Sequence, residues 1–227
     1  LTMESEKSGF DHVWITDHYN NRHVYVSLTL AAMYTERIKL GPGVTNPYMI
    51  HPVMTAQAVA SLNEVAPGRV VCGIGAGDKT SLATVGVESQ APLAAIRDSV
   101  QIIRDMTSGK VSQLEGKAFK VSGARFFFKV GNPIPVYVGA QGPKMLALAG
   151  EIADGVLINA SHKQDIENAL KFVKEGAARA GIAMEAIDVT VYTSFSMADD
   201  PAKAVKAATP VVGYIVAGAP EQLLESH

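Results

Sequence analysis

Lys39-Leu40-Gly41-Pro42-Gly43-Val44-Thr45-Asn46-Pro47 carries the pattern that the rest of the chain repeats. A short apolar run, Ile38 and Leu40, leads into a segment in which glycines free the backbone angles and prolines fix them and remove amide donors. A regular ladder is expected to stop there. A helical stretch follows over Pro52–Val65, then an apolar strand over 69–72 and a second glycine-rich end, Gly73-Ile74-Gly75-Ala76-Gly77-Asp78. The repeating unit is strand, shaped loop, helix.

The unit recurs on both sides. Upstream, Val13, Trp14 and Ile15 mark a strand over 10–16 that delivers Asp17-His18-Tyr19-Asn20-Asn21 into a polar loop, and Val24, Leu28, Ala31 and Ala32 keep helical spacing over 24–34. Downstream, a short helix is expected over 79–85 and a longer one over 92–106, striped by Leu93, Ile96, Val100 and Ile103. The period breaks between 110 and 131, where 118–121 and 125–128 flank Ser122-Gly123 like the arms of a hairpin insertion, with Phe126-Phe127-Phe128 as its core. Alternation then resumes: strand 134–138, loop Gly139-Ala140-Gln141-Gly142, helix Pro143–Ile152, strand 155–158, helix Lys163–Ala180 and strand 188–195. Pro201 opens a last helix, which Pro210 is expected to interrupt.

Strict alternation means a parallel sheet, doubly wound or closed into a barrel. Polar or glycine residues follow nearly every strand, at Asp17, Gly43, Gly73, Gly139 and Asn159. A site shared by that many strand ends favours the barrel, whose loops converge on one face. The expected class is α/β, a single incomplete TIM-barrel domain over 1–227, with six strands where eight are needed. Leu1 is not an initiator methionine, residues 1–8 read as the end of an amphipathic helix stopped by Gly9, and 221–227 read as the opening of another. The expectation is a fragment whose first and last strands lie outside it.

Bulk composition narrows the functions. Charged residues make up 19% and hydrophobic residues 48% of the chain, and the net charge is -2, so nothing draws it to nucleic acid or an anionic membrane. No apolar run approaches the about 20 residues of a membrane span. The lone Cys72 lies in a strand pattern and suits a buried, inert thiol in a reducing cytoplasm. His12, His18, His23, His51, His162 and His227 show no metal-ligand spacing, so no metal site is expected.

Four constellations remain. Asp17-His18 sets a carboxylate acceptor beside an imidazole, or else a helix-capping Asp beside a solvated His. Gly43-Val44-Thr45-Asn46-Pro47 offers backbone that can approach a flat ligand, or a tight turn. Gly73 to Thr80 fails both nucleotide fingerprints: Asp78 occupies the third small position of a dinucleotide loop and separates Gly77 from Lys79 in a Walker loop. Gly139-Ala140-Gln141-Gly142 precedes Pro143, so a helix N-terminus there can hold a phosphate or simply turn the chain.

The stretches Trp14 to Arg22, Ile38 to Tyr48, Gly73 to Lys79 and Gly139 to Lys144, in this order and spacing, closely resemble the coenzyme F420-dependent methylenetetrahydromethanopterin reductases of archaea, within the luciferase-like superfamily. The resemblance implies a luciferase-like (β/α)8 barrel with an insertion after strand four, no flavin, and hydride transfer from reduced F420 to methylene-tetrahydromethanopterin. It implies Asp17 and His18 near the deazaflavin ring and a cis peptide at Gly43-Val44 bulging against it. Thr45 and Asn46 would touch the cofactor, with Gly75, Ala76 and Asp78 nearby and Gly139, Ala140, Gln141 and Gly142 facing its phosphate-bearing tail. A homo-oligomer, dimer or tetramer, in the cytoplasm is implied too. An FMN-dependent luciferase-like monooxygenase and a non-catalytic F420- or pterin-binding barrel are the alternatives.

Overall fold

The computed structural model describes residues 1–160 and 162–218, so the helix opening expected over 221–227 lies outside the described residues. Among the described residues six parallel strands form the framework: β1 (His12–Ile15), β2 (Lys39–Pro42), β3 (Cys72–Gly75), β6 (Val136–Ala140), β7 (Gly155–Asn159) and β8 (Asp188–Tyr192). β1 pairs with β2, and β3, β6, β7 and β8 pair in that order. The bridges Leu40↔Val70 and Thr45↔Ile74 join β2 to β3. The helices are α1 (Thr2–Lys7), α2 (Val24–Met33), α3 (Pro52–Val65), α4 (Lys79–Thr84), α5 (Pro92–Thr107), α6 (Pro143–Ile152), α7 (Lys163–Ala180) and α8 (Pro201–Gly218). The described sheet has β1 and β8 as its edges.

Alternation along each strand sorts side chains to two faces. Leu40, Cys72, Ile74, Val136, Val138, Val156 and Ile158 join one cluster with Val24 and Leu28 of α2, Val59 of α3, Ile96 of α5 and Val173 of α7. The opposite face holds a smaller cluster, Val71, Tyr137 and Leu157, with Trp14 and Val44 packed on it. The Trp14 and Tyr137 rings meet edge to face at 5.0 Å, and the Tyr137 hydroxyl donates to Asp188 Oδ2 at 2.7 Å. Cys72 is fully buried and its thiol is pushed up to about 12 by that burial, so it is inert at neutral pH, as its strand position suggested.

Several strand boundaries differ from those expected from the sequence, three of them in one direction. β2, β3 and β6 each run two residues or more further toward the C-terminus than 38–40, 69–72 and 134–138, taking Gly41, Gly73, Gly75 and Gly139 into the sheet. Those glycines were read as ladder breakers, but they meet crowding: a Cβ on Gly41 would strike the Val71 carbonyl, and one on Gly73 the Pro42 carbonyl. At the last strand the extension is opposite, since β8 ends at Tyr192.

The insertion is also drawn differently. β4 (Ser112–Glu115) and β5 (Lys120–Ala124) form an antiparallel pair, so Ser122-Gly123 lies inside the second arm and 125–128 is not a strand. The glycine has φ +78° at an irregularity where Ser112 faces Ala124 and Gln113 faces Ser122, the mark of a bulge. The true turn is held by the buried Asp98 of α5, whose Oδ2 accepts the amides of Ala118 at 2.7 Å and Phe119 at 3.1 Å. Of the three phenylalanines only Phe126 packs against the main cluster, stacking on Phe128 at 4.8 Å, whereas Phe127 points outward.

The ends of the helices follow local chemistry. Proline opens α3, α5 and α6 where the missing amide costs nothing. Asp200 caps α8 through the Ala202 amide at 2.9 Å, and the helix continues through Pro210 instead of stopping there. α1 ends before Gly9 (φ +87°) as expected, but none of its side chains is buried. It is held instead by Glu6, whose Oε1 accepts the amides of Arg37 at 2.6 Å and Ile38 at 2.8 Å, which holds that exposed carboxyl below its ordinary range.

α6 and α7 cross at backbone contact, because a Cβ on Gly150 would overlap the Val173 carbonyl and one on Gly176 the Ala147 carbonyl. Neither neighbour is a side chain that can swing away. Gly176→Ala is therefore expected to lower unfolding free energy by about 1–3 kcal/mol, as overpacking does. Urea titration with an unchanged m-value measures it; a loss under about 0.5 kcal/mol would show that the two helices separate freely.

Candidate active site

The C-terminal ends of β1, β2, β3 and β6 present the residues singled out by sequence, and they meet in two hydrogen-bonded groups around one backbone feature. That feature is the segment after β2. The Gly43–Val44 peptide is cis, and β2 is held to β1 there by the Gly43 amide on the Ile15 carbonyl at 2.8 Å. Pairing to β3 resumes immediately, with the Thr45 amide on the Gly73 carbonyl at 3.0 Å and the Gly75 amide on the Thr45 carbonyl at 2.9 Å. The Val44 side chain lies over the two next strands: a Cβ on Gly75 would come within 2.8 Å of its Cγ2, and one on Gly139 within 3.0 Å of its Cγ1. These two glycines make room for Val44.

The first polar group joins Asp17 and Thr45. The fully buried Thr45 donates its hydroxyl to Asp17 Oδ2 at 2.7 Å. Behind Thr45, the Tyr25 hydroxyl of α2 is buried beside the Thr45 and Thr55 hydroxyls without closing a hydrogen bond to either, and burial raises it far above the ordinary phenol range. Asn46 is also buried, and its Oδ1 serves its own loop by accepting the amides of Tyr48 at 3.2 Å and Met49 at 2.9 Å. Its side-chain NH₂ remains a donor for other partners.

The second group joins His18 to α4. Asp78 caps that helix, its Oδ2 accepting both the amide of Ser81 at 2.8 Å and the Ser81 hydroxyl. The same Ser81 Oγ stands 2.6 Å from His18 Nε2, and the Asn20 side chain stands 2.6 Å from His18 Nδ1. His18 also stacks on Tyr19 at 5.1 Å. Gly77, between the two strand-end groups, has φ +74° and faces Asn46.

The remaining expected residues lie on the same rim. Gly75 and Gly139 are paired in register across β3 and β6. Ala76 is half-buried, Ala140 is buried at the end of β6, and Gln141 is exposed. Gly142 stands at the start of α6, and its carbonyl takes the Met145 and Leu146 amides. Two participants escaped the sequence reading. Ser81 carried a signal only as the third helical residue after a capping Asp, which points to the helix and not to a histidine 63 positions away. Tyr25 carries no signal of its own beside the apolar spacing of Val24, Leu28, Ala31 and Ala32.

The arrangement offers a raised backbone ridge at Val44, a carboxylate with one oxygen already committed, and an imidazole held in its own plane. Among the described residues, no three His, Cys, Asp or Glu side chains gather into a metal-binding group.

Comparison with known proteins agrees with this architecture. The family model for luciferase-like monooxygenases matches residues 1–226. The 5,10-methylenetetrahydromethanopterin reductase of Archaeoglobus fulgidus is 52% identical over 223 residues, 98% of this chain and 67% of the relative. The solved F420-dependent tetrahydromethanopterin reductase of Methanopyrus kandleri superposes with a TM-score of 0.88 at 42% identity, covering 97% of this chain and 68% of that one. An F420-dependent secondary alcohol dehydrogenase, solved with an F420–acetone adduct, superposes with a TM-score of 0.83 at 27% identity, covering 91% and 67%. The chain spans about two thirds of the length of these proteins. Its parallel strands are those of a TIM barrel, and the chain belongs to the luciferase-like monooxygenase family.

Proposed function

We propose that this chain is an F420-dependent 5,10-methylenetetrahydromethanopterin reductase, an oxidoreductase of one-carbon metabolism. The observation that carries the reading is the 52% identity to a reductase of that name over nearly the whole chain, joined to a strand-end rim that suits a flat ring. The rim fits such a ring because Val44 forms a ridge between glycines that carry no side chain, and Asp17 keeps one carboxylate oxygen uncommitted to Thr45.

In this reading F420 binds along the rim, with Asp17 and His18 at its ring, Gly43, Val44, Thr45 and Asn46 beneath it, and Gly75, Ala76 and Asp78 alongside. Gly139, Ala140, Gln141 and Gly142 face its phosphate-bearing tail at the start of α6. When bound, reduced F420 supplies the hydride that converts the methylene group of the pterin substrate to methyl. The residues of the chain do the rest: the ridge and Asp17 orient, and the buried wall of Trp14, Val71, Tyr137 and Leu157 keeps water from below the ring. The chain acts as a single domain in the cytoplasm, without nucleic acid or membrane as partner; no helix among the described residues is long and apolar enough to cross a membrane.

A homo-oligomer belongs to the same reading. α2 buries Val24, Leu28, Ala31 and Ala32 on one side and leaves Val26, Leu30, Met33 and Tyr34 each more than half exposed on the other. A helix apolar on both faces belongs in an interior or an interface.

Three outcomes are expected. Anaerobic incubation of reduced F420 with methylene-tetrahydromethanopterin should restore the absorbance of oxidised F420 only when the pterin is present; oxygen-dependent turnover with FMN would select the monooxygenase instead, and F420 binding without transfer a non-catalytic barrel. Asp17→Asn should weaken F420 binding about tenfold or more, since a hydrogen bond to a charged group contributes about 1.5–3 kcal/mol. Fluorescence titration of F420 reads this, and an unchanged Kd would take Asp17 out of the site. Leu30→Glu should convert the oligomer to monomers by light scattering, whereas a wild-type chain that is already monomeric would refute the α2 interface.

A further inference from the structure

We propose that Ser81 and Asp78 are positioning residues for His18, and that the first turn of α4 thereby keeps a proton on His18 Nε2. The proton inventory of the contacts requires it. Ser81 Oγ has one proton and two close partners, Asp78 Oδ2 and His18 Nε2. A carboxylate can only accept, so the Ser81 proton goes to Asp78. The contact of 2.6 Å between Ser81 Oγ and His18 Nε2 then holds a hydrogen bond only if Nε2 is the donor. The order is His18 Nε2–H to Ser81 to Asp78.

The other edge of the ring is engaged as well. Asn20 Oδ1 stands 2.6 Å from Nδ1; an amide oxygen only accepts, so in this arrangement Nδ1 donates to it as well, and a bare Nδ1 requires the Asn20 amide turned over to present its NH₂. Both in-plane positions of His18 are thus taken by the chain itself. What the ring offers a ligand is the face not stacked on Tyr19 and its fixed orientation, while the free oxygen of Asp17 is the open hydrogen-bonding position of the pair. Asp78 does two tasks, because the Ser81 amide holds its carboxylate at the helix cap while the Ser81 hydroxyl reads that carboxylate out to His18. Nothing in the sequence joins 78–81 to 18; the fold does so by ending β1 and β3 on the same rim.

The claim about the Nε2 proton stands on the geometry alone, and the claim about turnover rests on the F420-reductase reading. Two measurements keep them apart. Imidazole ¹⁵N correlation spectra of the ligand-free chain, with His18 assigned by His18→Gln, are expected to show Nε2 protonated, and Ser81→Ala is expected to shift the His18 nitrogens. Ser81→Ala keeps the Asp78 cap on the α4 amides, so its Tm should stay within about 2 °C of wild type, and Ser81→Thr should restore the His18 pattern. A ring protonated on Nδ1 with Nε2 bare, or nitrogens unmoved by Ser81→Ala, would overturn the proposal. In the hydride-transfer assay Ser81→Ala should lower kcat about fivefold with KM for the pterin changed less than twofold, and should add nothing to His18→Gln. Fully additive losses would overturn the coupling even if wild-type turnover upholds the reductase; no turnover by wild type would refute the reductase reading and leave the spectra to decide the Nε2 proton.

Discussion

The approach of one backbone to three others is the constraint on which the site depends. Val44 reaches over β3 and β6 because Gly75 and Gly139 lack side chains, and Gly43 reaches β1 because it has no Cβ, which would stand 2.6 Å from Trp14 Cβ. Packed interiors do not stretch to admit extra methyl groups. Four adjacent strands must therefore agree in residue size at one level for the ridge to exist. The bridges Leu40↔Val70 and Thr45↔Ile74 show the cost in pairing: β2 and β3 hydrogen-bond on both sides of the interruption and not through it.

That ridge also determines where the polar groups go. Resumed pairing at Thr45 turns its hydroxyl to Asp17, so a side chain at the end of β1 is fixed by a residue whose backbone belongs to the β2–β3 ladder. His18, one residue on, is fixed by α4 instead. Adjacent residues in the chain are thus held by different elements, and Asn20, in the loop between them and α2, adds a second contact to His18. Fixing each group from a separate scaffold element keeps the geometry of a site more firmly than a loop alone does.

Much of this was legible. Helical spacing located α3, α6 and α7 to the residue, because N-terminal prolines and the C-terminal Gly181 are local signals that owe little to tertiary context. The order of strands followed from alternation, and the cis peptide and the rim residues came with the family resemblance. Strand ends were misread for one physical reason. A glycine that ends a ladder and a glycine that makes room for a neighbour look alike in sequence, and Gly41 and Gly73, which admit a carbonyl, and Gly139, which admits the Val44 side chain, are of the second kind. Gly123 misled in the same way, being a bulge inside β5 and not the turn. Ser81 and Tyr25 were missed because the His18 and Thr45 side chains they face lie on other elements, and contacts of that range leave no periodic trace.

A division of labour follows from the contacts. A hydride donor carries its own reactivity, so the chain need not supply a strong acid or nucleophile, and the site has neither an activated thiol nor a metal cluster among its described residues. What transfer does demand is two ring systems held at near-attack distance, and a misplacement of about 1 Å can cost about 100-fold in rate. The hydrogen bonds here serve that demand. Thr45 uses one oxygen of Asp17 and leaves one; Ser81 and Asn20 use both nitrogens of His18 and leave the ring face not stacked on Tyr19. The site is built to fix orientations, and its polar groups are mostly satisfied by each other before any ligand arrives.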